Sequence, residues 1–224
     1  MIPKVQLLQK LVESGIIAVI RRVPEEIVGQ VIESLVEGGV TALEVTVDSP
    51  HAYRTIEKYS QMFKGQALIG AGTVIDRESA HRAISAGADF VFSPSLSEEV
   101  IRTALRYGKI AIPGVMTPTE MIQAVEWGAD AVKVFPAGNL GPKYIKDVGA
   151  PFPHIPIIPT GGVSLENIES YIKAGAVACG IGGSLVNSKL IEERNFSELK
   201  EKGNAYVEAV RAARNIISNK APIA

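Results

Sequence analysis

The chain has little cysteine, histidine or tryptophan: one Cys, three His and one Trp in 224 residues. A single thiol, Cys179, excludes an internal disulfide and any cysteine-built metal cluster. It lies in the small apolar run Val177-Ala178-Cys179-Gly180-Ile181 with no histidine near it, and reads as a core thiol, not a nucleophile. His51, His81 and His154 fall outside every predicted strand, and nothing has H-x-x-H or carboxylate ligand spacing, so they read as surface residues and no metal site is expected. Long apolar runs are missing too. No stretch nears the roughly 18 apolar residues of a membrane span, and the N-terminus MIPKVQLLQKLVESG is amphipathic and charged throughout, so a soluble, cytoplasmic protein without a membrane partner is expected. Nor does one sign of charge dominate: 23 Lys and Arg face 24 Asp and Glu, a formal net charge of −1. That excludes the broad basic field of a nucleic-acid binder, and any anion site must come from placed groups.

What is present is alternation. Eight short apolar runs, Ile16 to Arg21, Ala42 to Val47, Ala67 to Val74, Phe90 to Pro94, Ile110 to Val115, Ala131 to Pro136, Ile155 to Gly161 and Val177 to Gly182, are separated by longer amphipathic stretches. That pattern is the signature of repeated βα units on a parallel sheet. An open dinucleotide-binding sheet calls for a glycine-rich loop after an early strand, and none is present. The expectation is therefore one α/β domain over the whole chain, a single (β/α)8 TIM barrel with its core from about residue 16 to 217. An extra helix precedes the first strand, a last helix runs from Phe196 to Ile217, and the tail Ser218 to Pro222 frays. Ser95-Leu96-Ser97-Glu98 and Thr117-Pro118-Thr119-Glu120 each pair a hydroxyl N-cap with a glutamate three residues on. Gly38-Gly39, Gly87, Gly128 and Gly175 stand where helices end and positive φ is needed.

Catalytic groups in such barrels come from the C-terminal ends of strands. In Ala131-Val132-Lys133-Val134-Phe135-Pro136, Lys133 shares a face with Phe135 and points inward. A buried ammonium gives up its proton more readily, and a neutral amine attacks ketones; a lysine that snorkels to water is the plain alternative. Glu44, in phase with Ala42 and Thr46, also points inward. Two opposite charges in one core make either a costly buried ion pair or an active site. Thr73, after Gly70-Ala71-Gly72, serves either a substrate carboxylate or the start of a helix near Asp76. Arg21, in phase with Ile17 and Val19, is either a bidentate anion ligand or a solvated charge. The turns Thr160-Gly161-Gly162 and Gly182-Gly183-Ser184 follow the last two strands, where barrel enzymes hold phosphate on backbone N–H groups, with the Ser184 hydroxyl as a further donor.

The chain resembles the 2-keto-3-deoxy-6-phosphogluconate aldolase family, also called the phosphogluconate/4-hydroxy-2-oxoglutarate aldolases, from about Ile16 to Val186. The resemblance is carried by Gly38-Gly39-Val40 leading to Leu43-Glu44-Val45-Thr46, Ile69-Gly70-Ala71-Gly72-Thr73-Val74, Phe92-Ser93-Pro94, Ile112-Pro113-Gly114-Val115, Lys133-Val134-Phe135-Pro136, Pro159-Thr160-Gly161-Gly162 and Gly182-Gly183-Ser184. It implies a homotrimer of barrels that needs no metal or other cofactor, with Lys133 forming an imine and Glu44 moving protons. It also implies a phosphorylated keto acid as substrate, cleaved to pyruvate and glyceraldehyde 3-phosphate, with 4-hydroxy-2-oxoglutarate as a further one. Thr73, Pro94, Phe135, Thr160, Gly161 and Gly162 match family positions around the keto acid, and Gly182, Gly183 and Ser184 match the phosphate region. Many members carry an arginine four residues after the glutamate, where this chain has Asp48, a charge that repels an anion; Arg21 stands where other members keep theirs. The 6-phosphogalactonate analogue differs at one hydroxyl that no motif reads. The rivals outside this chemistry are a non-covalent phosphosugar isomerase or decarboxylase using Glu44 as base, and a phosphoester-binding barrel in which Lys133 only balances Glu44.

Overall fold

A computed structural model describes residues 2–219. The strands are β1 (Ile16–Ile20), β2 (Ala42–Thr46), β3 (Leu68–Gly72), β4 (Phe90–Phe92), β5 (Ile110–Ile112), β6 (Gly114–Val115), β7 (Val132–Val134), β8 (Ile157–Pro159) and β9 (Cys179–Ile181). Helix α1 (Pro3–Ser14) precedes them; α2 (Glu25–Glu37), α3 (Ala52–Met62), α4 (Arg77–Ser85), α5 (Glu98–Arg106), α6 (Pro118–Glu126), α7 (Gly141–Gly149) and α8 (Ile168–Lys173) connect them; α9 (Ser188–Glu192) and α10 (Phe196–Ser218) follow. All pairings are parallel, in a curled six-stranded sheet of order β5-β4-β3-β2-β1-β9 and a three-stranded sheet β6-β7-β8.

The eight expected strands thus become nine short ones in two sheets. The break falls at Pro113, which has no N–H to give a ladder and splits the fifth run into β5 and β6. Its carbonyl still accepts from Lys133 N at 2.8 Å. At the other junction, Thr160 bridges to Gly180, and Val177 N donates to Ile157 O at 3.0 Å.

Period-two alternation divides the core. Ile16, Ala18, Ile20, Leu43, Val45, Val132 and Val134 pack outward against the helices. Ile17, Ala42, Leu68, Phe90, Phe92, Ile110, Ile112, Ala131 and Ile158 point inward, where Leu7, Leu8 and Leu11 of α1 close the end nearest the strand N-termini. The opposite end is left for polar groups.

Local signals set the helix boundaries, with some displaced by a few residues. Thr117 and Glu120 form the expected capping box. At α5 the cap is Ser97, which accepts from Val100 N, and not Ser95. Asp76 caps α4, so Thr73 is not the helix cap. Of the expected C-terminal glycines, Gly39, Gly87, Gly128 and Gly175 adopt positive φ, while Gly38 does not. The last helix ends one residue beyond its expected limit, at Ser218, and the expected frayed residues from Lys220 to Pro222 lie outside the described residues. No described helix is long and apolar enough to cross a membrane. Cys179 is fully enclosed, and burial pushes its thiol up to about 12.

The two terminal helices are joined by one side chain. Arg214 of α10 donates from Nη1 to Glu13 O at 2.9 Å and from Nη2 to Val12 O at 2.6 Å and Val177 O at 2.8 Å. It pairs Glu13 O, adds a second donor to Val12 O, which already accepts from Gly15 N, and ties the end of α1 to the approach to β9. Replacing Arg214 by alanine strips charged hydrogen bonds from two exposed carbonyls and one part-buried one and is expected to cost about 1–2 kcal/mol, lowering the melting temperature by about 3–6 °C in circular dichroism. Arg214→Lys recovers only part, since one ammonium lacks the planar fork. An unchanged melting temperature in Arg214→Ala would refute the clamp.

Candidate active site

A cavity of about 810 Å³ opens at the C-terminal ends of the strands. Of the residues singled out in the sequence, it brings together Arg21, Glu44, Thr73, Pro94, Lys133, Phe135, Thr160, Gly161, Gly182 and Gly183. Gly162 and Ser184 are not on its wall. A side chain on Gly162 would run into Gly138 of the loop after β7, and Ser184 Oγ donates to Val163 O at 2.6 Å. The hydroxyl expected to serve a ligand is therefore used inside the protein. The three histidines are exposed and apart from the cavity.

Lys133 and Glu44 both point inward from their strands and are nearly sealed, 6% and 1% exposed. The amine nitrogen lies 4.1 Å from the centre of the Phe92 ring and 5.0 Å from that of Phe135. Enclosure by hydrocarbon pulls the Lys133 pKa below its ordinary value; the nearby charge of Arg21 acts the same way, and Glu44 opposes both. Burial pushes the Glu44 carboxyl up to about 7 against the pull of Lys133 and Arg21. Glu44 Oε2 has no hydrogen-bond partner, so the two groups influence each other through space without the buried ion pair that the sequence left open. An orphaned carboxylate oxygen beside an amine of reduced basicity is costly for stability and useful for moving protons.

Glycine makes the room. A Cβ at Gly72 would overlap the Glu44 carboxylate, and one at Gly70 would overlap the Phe90 ring. The next residue, Thr73, is held at φ 59, a region that β-branched residues rarely enter. Such strain gathers at ligand sites. Across the cavity, Gly161 and Gly162 take φ 83 and 81. Gly161 is held to Gly180 through the Thr160–Gly180 bridge, while among the described residues no acceptor takes the N–H of Gly162, Gly183 or Ser184. Thr160 Oγ1 is likewise buried and unpartnered.

At the rim, Arg21 Nη2 bonds Asp48 Oδ2 at 2.9 Å, and Arg22 Nη2 lies 3.4 Å from the same oxygen. Against the cost of partial burial, hydrogen bonds from Thr46 and Arg21 and the charges of Arg21 and Arg22 hold Asp48 below its usual pKa. Sequence reasoning placed Val19 inward and Arg22 beside Arg21 at the end of the first strand, and it missed much of the remaining wall: Val23, Pro24, Thr46, Ile27, Val186, Ser188, Ile191 and Glu192. Thr46 was recoverable, being in phase with Glu44; the β1–α2 loop and α9 carry no periodic signal that aims a side chain. No group of three or more His, Cys, Asp or Glu gathers among the described residues.

If Gly72 makes space for the Glu44 carboxylate, Gly72→Ala forces it out of its enclosed position while the strand remains formed. Carbon-detected NMR of labelled glutamate should then show the Glu44 pKa falling from about 7 toward the ordinary value of about 4.3. A carboxyl that still titrates near 7 in the folded variant would show that it had not moved.

The family model described as "KDPG and KHG aldolase" matches residues 7–202. The chain is 35% identical over 198 residues to the 2-dehydro-3-deoxy-6-phosphogalactonate aldolase of Escherichia coli, covering 88% of this chain and 96% of that protein. It is 37% identical over 163 residues to the 2-dehydro-3-deoxy-phosphogluconate aldolase of Pseudomonas aeruginosa, covering 72% and 73%. In three dimensions it is similar to the KDPG aldolase of Legionella pneumophila, solved with pyruvate captured as a covalent carbinolamine intermediate: TM-score 0.80, 31% identity, and coverage of 87% of this chain and 96% of that one. With a family model spanning most of its length and relatives above 30% identity, the chain belongs to the KDPG and KHG aldolase family of carbon–carbon lyases.

Proposed function

We propose that the protein is a class I aldolase that cleaves 2-keto-3-deoxy-6-phosphogluconate into pyruvate and glyceraldehyde 3-phosphate through an imine on Lys133. The observation that carries this reading is an enclosed lysine with lowered pKa, free of an ion pair, in one cavity with a carboxyl raised to about 7. The neutral amine attacks the C2 ketone to give a carbinolamine, and a proton from solvent on its hydroxyl expels water and leaves a protonated imine. Glu44, as carboxylate, takes the proton of the C4 hydroxyl; the C3–C4 bond breaks, its electrons pass into the imine to form an enamine, and the aldehyde leaves. The Glu44 proton then returns to C3, and water releases pyruvate from Lys133. A carboxyl near 7 is half-protonated at neutral pH, which suits a group that must both take and give a proton.

In this reading Thr73 and Pro94 flank the keto-acid carboxylate and Phe135 covers the imine. The Thr160 hydroxyl and the open N–H of Gly183 receive oxygen atoms of the anionic substrate, and no metal or cofactor takes part. The two sheets together form one barrel of eight positions, with β5 and β6 sharing a place and the Thr160–Gly180 bridge closing the ring. A homotrimer belongs to the same reading through the family resemblance. A second substrate, the 6-phosphogalactonate epimer, is supported by the Escherichia coli relative named for it, which matches over 96% of its length.

Incubation with pyruvate and sodium borohydride, followed by peptide mass spectrometry, should place a reduced pyruvate adduct on Lys133 and none in Lys133→Met. Folded wild-type protein without an adduct would overturn the imine mechanism. Both titrations act in one direction: the carboxylate of Glu44 and the neutral amine of Lys133 are each lost as pH falls. kcat/KM should therefore rise with pH through about 7. Glu44→Gln should flatten the limb set by the carboxyl and lower kcat by roughly 100-fold; a wild-type pH profile in that variant would assign the limb elsewhere.

A further inference from the structure

Taken alone in the sequence, Asp48 is a carboxylate that repels an anionic substrate. In the structure its charge is already engaged. Oδ2 takes Arg21 Nη2 at 2.9 Å and stands 3.4 Å from Arg22 Nη2, so two guanidinium groups share one carboxylate and the rim keeps one net positive charge from this trio. The backbone braces the arrangement. Arg22, at φ 52, donates its N–H to Ser49 Oγ at 2.8 Å, and Ser49 Oγ lies 2.8 Å from Thr46 Oγ1. The end of β1 is thereby laced to the loop after β2.

We propose that Asp48 is a positioning residue that holds Arg21 at the cavity rim to receive the substrate's phosphate, and so sets a preference for phosphorylated over unphosphorylated keto acids. This rests on the aldolase reading above. The substrate carboxylate is bonded to the carbon that Lys133 attacks, so it must sit at the depth of that buried amine. Arg21, with its side chain 53% exposed at the rim, meets the remote end. Among the described residues its Nε and Nη1 have no acceptor, which leaves donors for phosphate oxygens. An arginine without an anchor loses rotamer freedom when it meets a ligand; Asp48 imposes that loss on the empty protein, so the ordering does not weaken binding.

The test is steady-state kinetics of wild type, Asp48→Ala, Asp48→Asn, Arg21→Ala and the double variant Arg21→Ala/Asp48→Ala. The two substrates are 2-keto-3-deoxy-6-phosphogluconate and 2-keto-3-deoxygluconate, the same acid without its phosphate. For the phosphorylated substrate, Asp48→Ala should raise KM about tenfold with kcat within about twofold, and Asp48→Asn, which keeps an acceptor, should recover part of that rise. KM for the unphosphorylated acid should stay unchanged, and Asp48→Ala should add nothing in the Arg21→Ala background. A lower or unchanged KM in Asp48→Ala, an equal change for both substrates, or an effect that survives without Arg21 would overturn the proposal. Borohydride trapping of pyruvate on the wild type separates the two readings: an adduct with any of those kinetic results removes only the role of Asp48, whereas no adduct removes the aldolase reading itself.

Discussion

An amine that is to act as a nucleophile must be kept from water and from any carboxylate close enough to hold its proton. The packing about Lys133 meets both conditions. Phe92 and Phe135 surround the nitrogen, while Glu44, buried to 1% exposure, stops short of pairing with it. The separation depends on neighbours that contribute no chemistry. Gly72 yields the volume that the carboxylate fills, and Gly70 yields that of the Phe90 ring beneath it. Two charged groups are thus suspended at one end of an otherwise apolar interior, and their energetic cost is borne by the rest of the fold.

The two ends of the strands divide the labour. Toward the strand N-termini, Leu7, Leu8 and Leu11 of α1 seal the interior, and Arg214 fastens α1 to α10. Toward the C-termini, backbone strain at Thr73 and Arg22, unpaired polar atoms on Glu44 and Thr160 and open N–H groups on the glycine turns accumulate. Polar dissatisfaction gathered at one end of the fold is how binding sites differ from scaffolds.

What was legible in the sequence follows this division. The strand runs and the inward aim of Lys133 and Glu44 were readable because the side-chain period of a strand is two, so one position determines its neighbours. Thr117 announced its helix through a local hydrogen-bonding pattern. Pro113 was visible, but its splitting of one run between two sheets was not, since a ladder depends on the partner strand as much as on the residue. Gly162 and Ser184 belonged to recognisable turns, yet their directions depend on Gly138 and Val163, which lie elsewhere in the chain. Asp48 shows the limit most clearly. Its sign was plain, while the guanidinium that engages it belongs to Arg21, 27 residues away.

The Arg214 clamp bears on how the chain is made as well as how it stands. Its guanidinium joins carbonyls 201 and 202 positions earlier, across nearly the full length of the polypeptide. During synthesis the first strands emerge long before that partner exists, and closing so large a loop carries an entropic penalty that only the finished packing offsets. Until then the last turn of α1 is held by the Gly15 N–H on Val12 O and by the packing of Leu11, without the guanidinium. The clamp therefore closes only after every strand of the two sheets has been made.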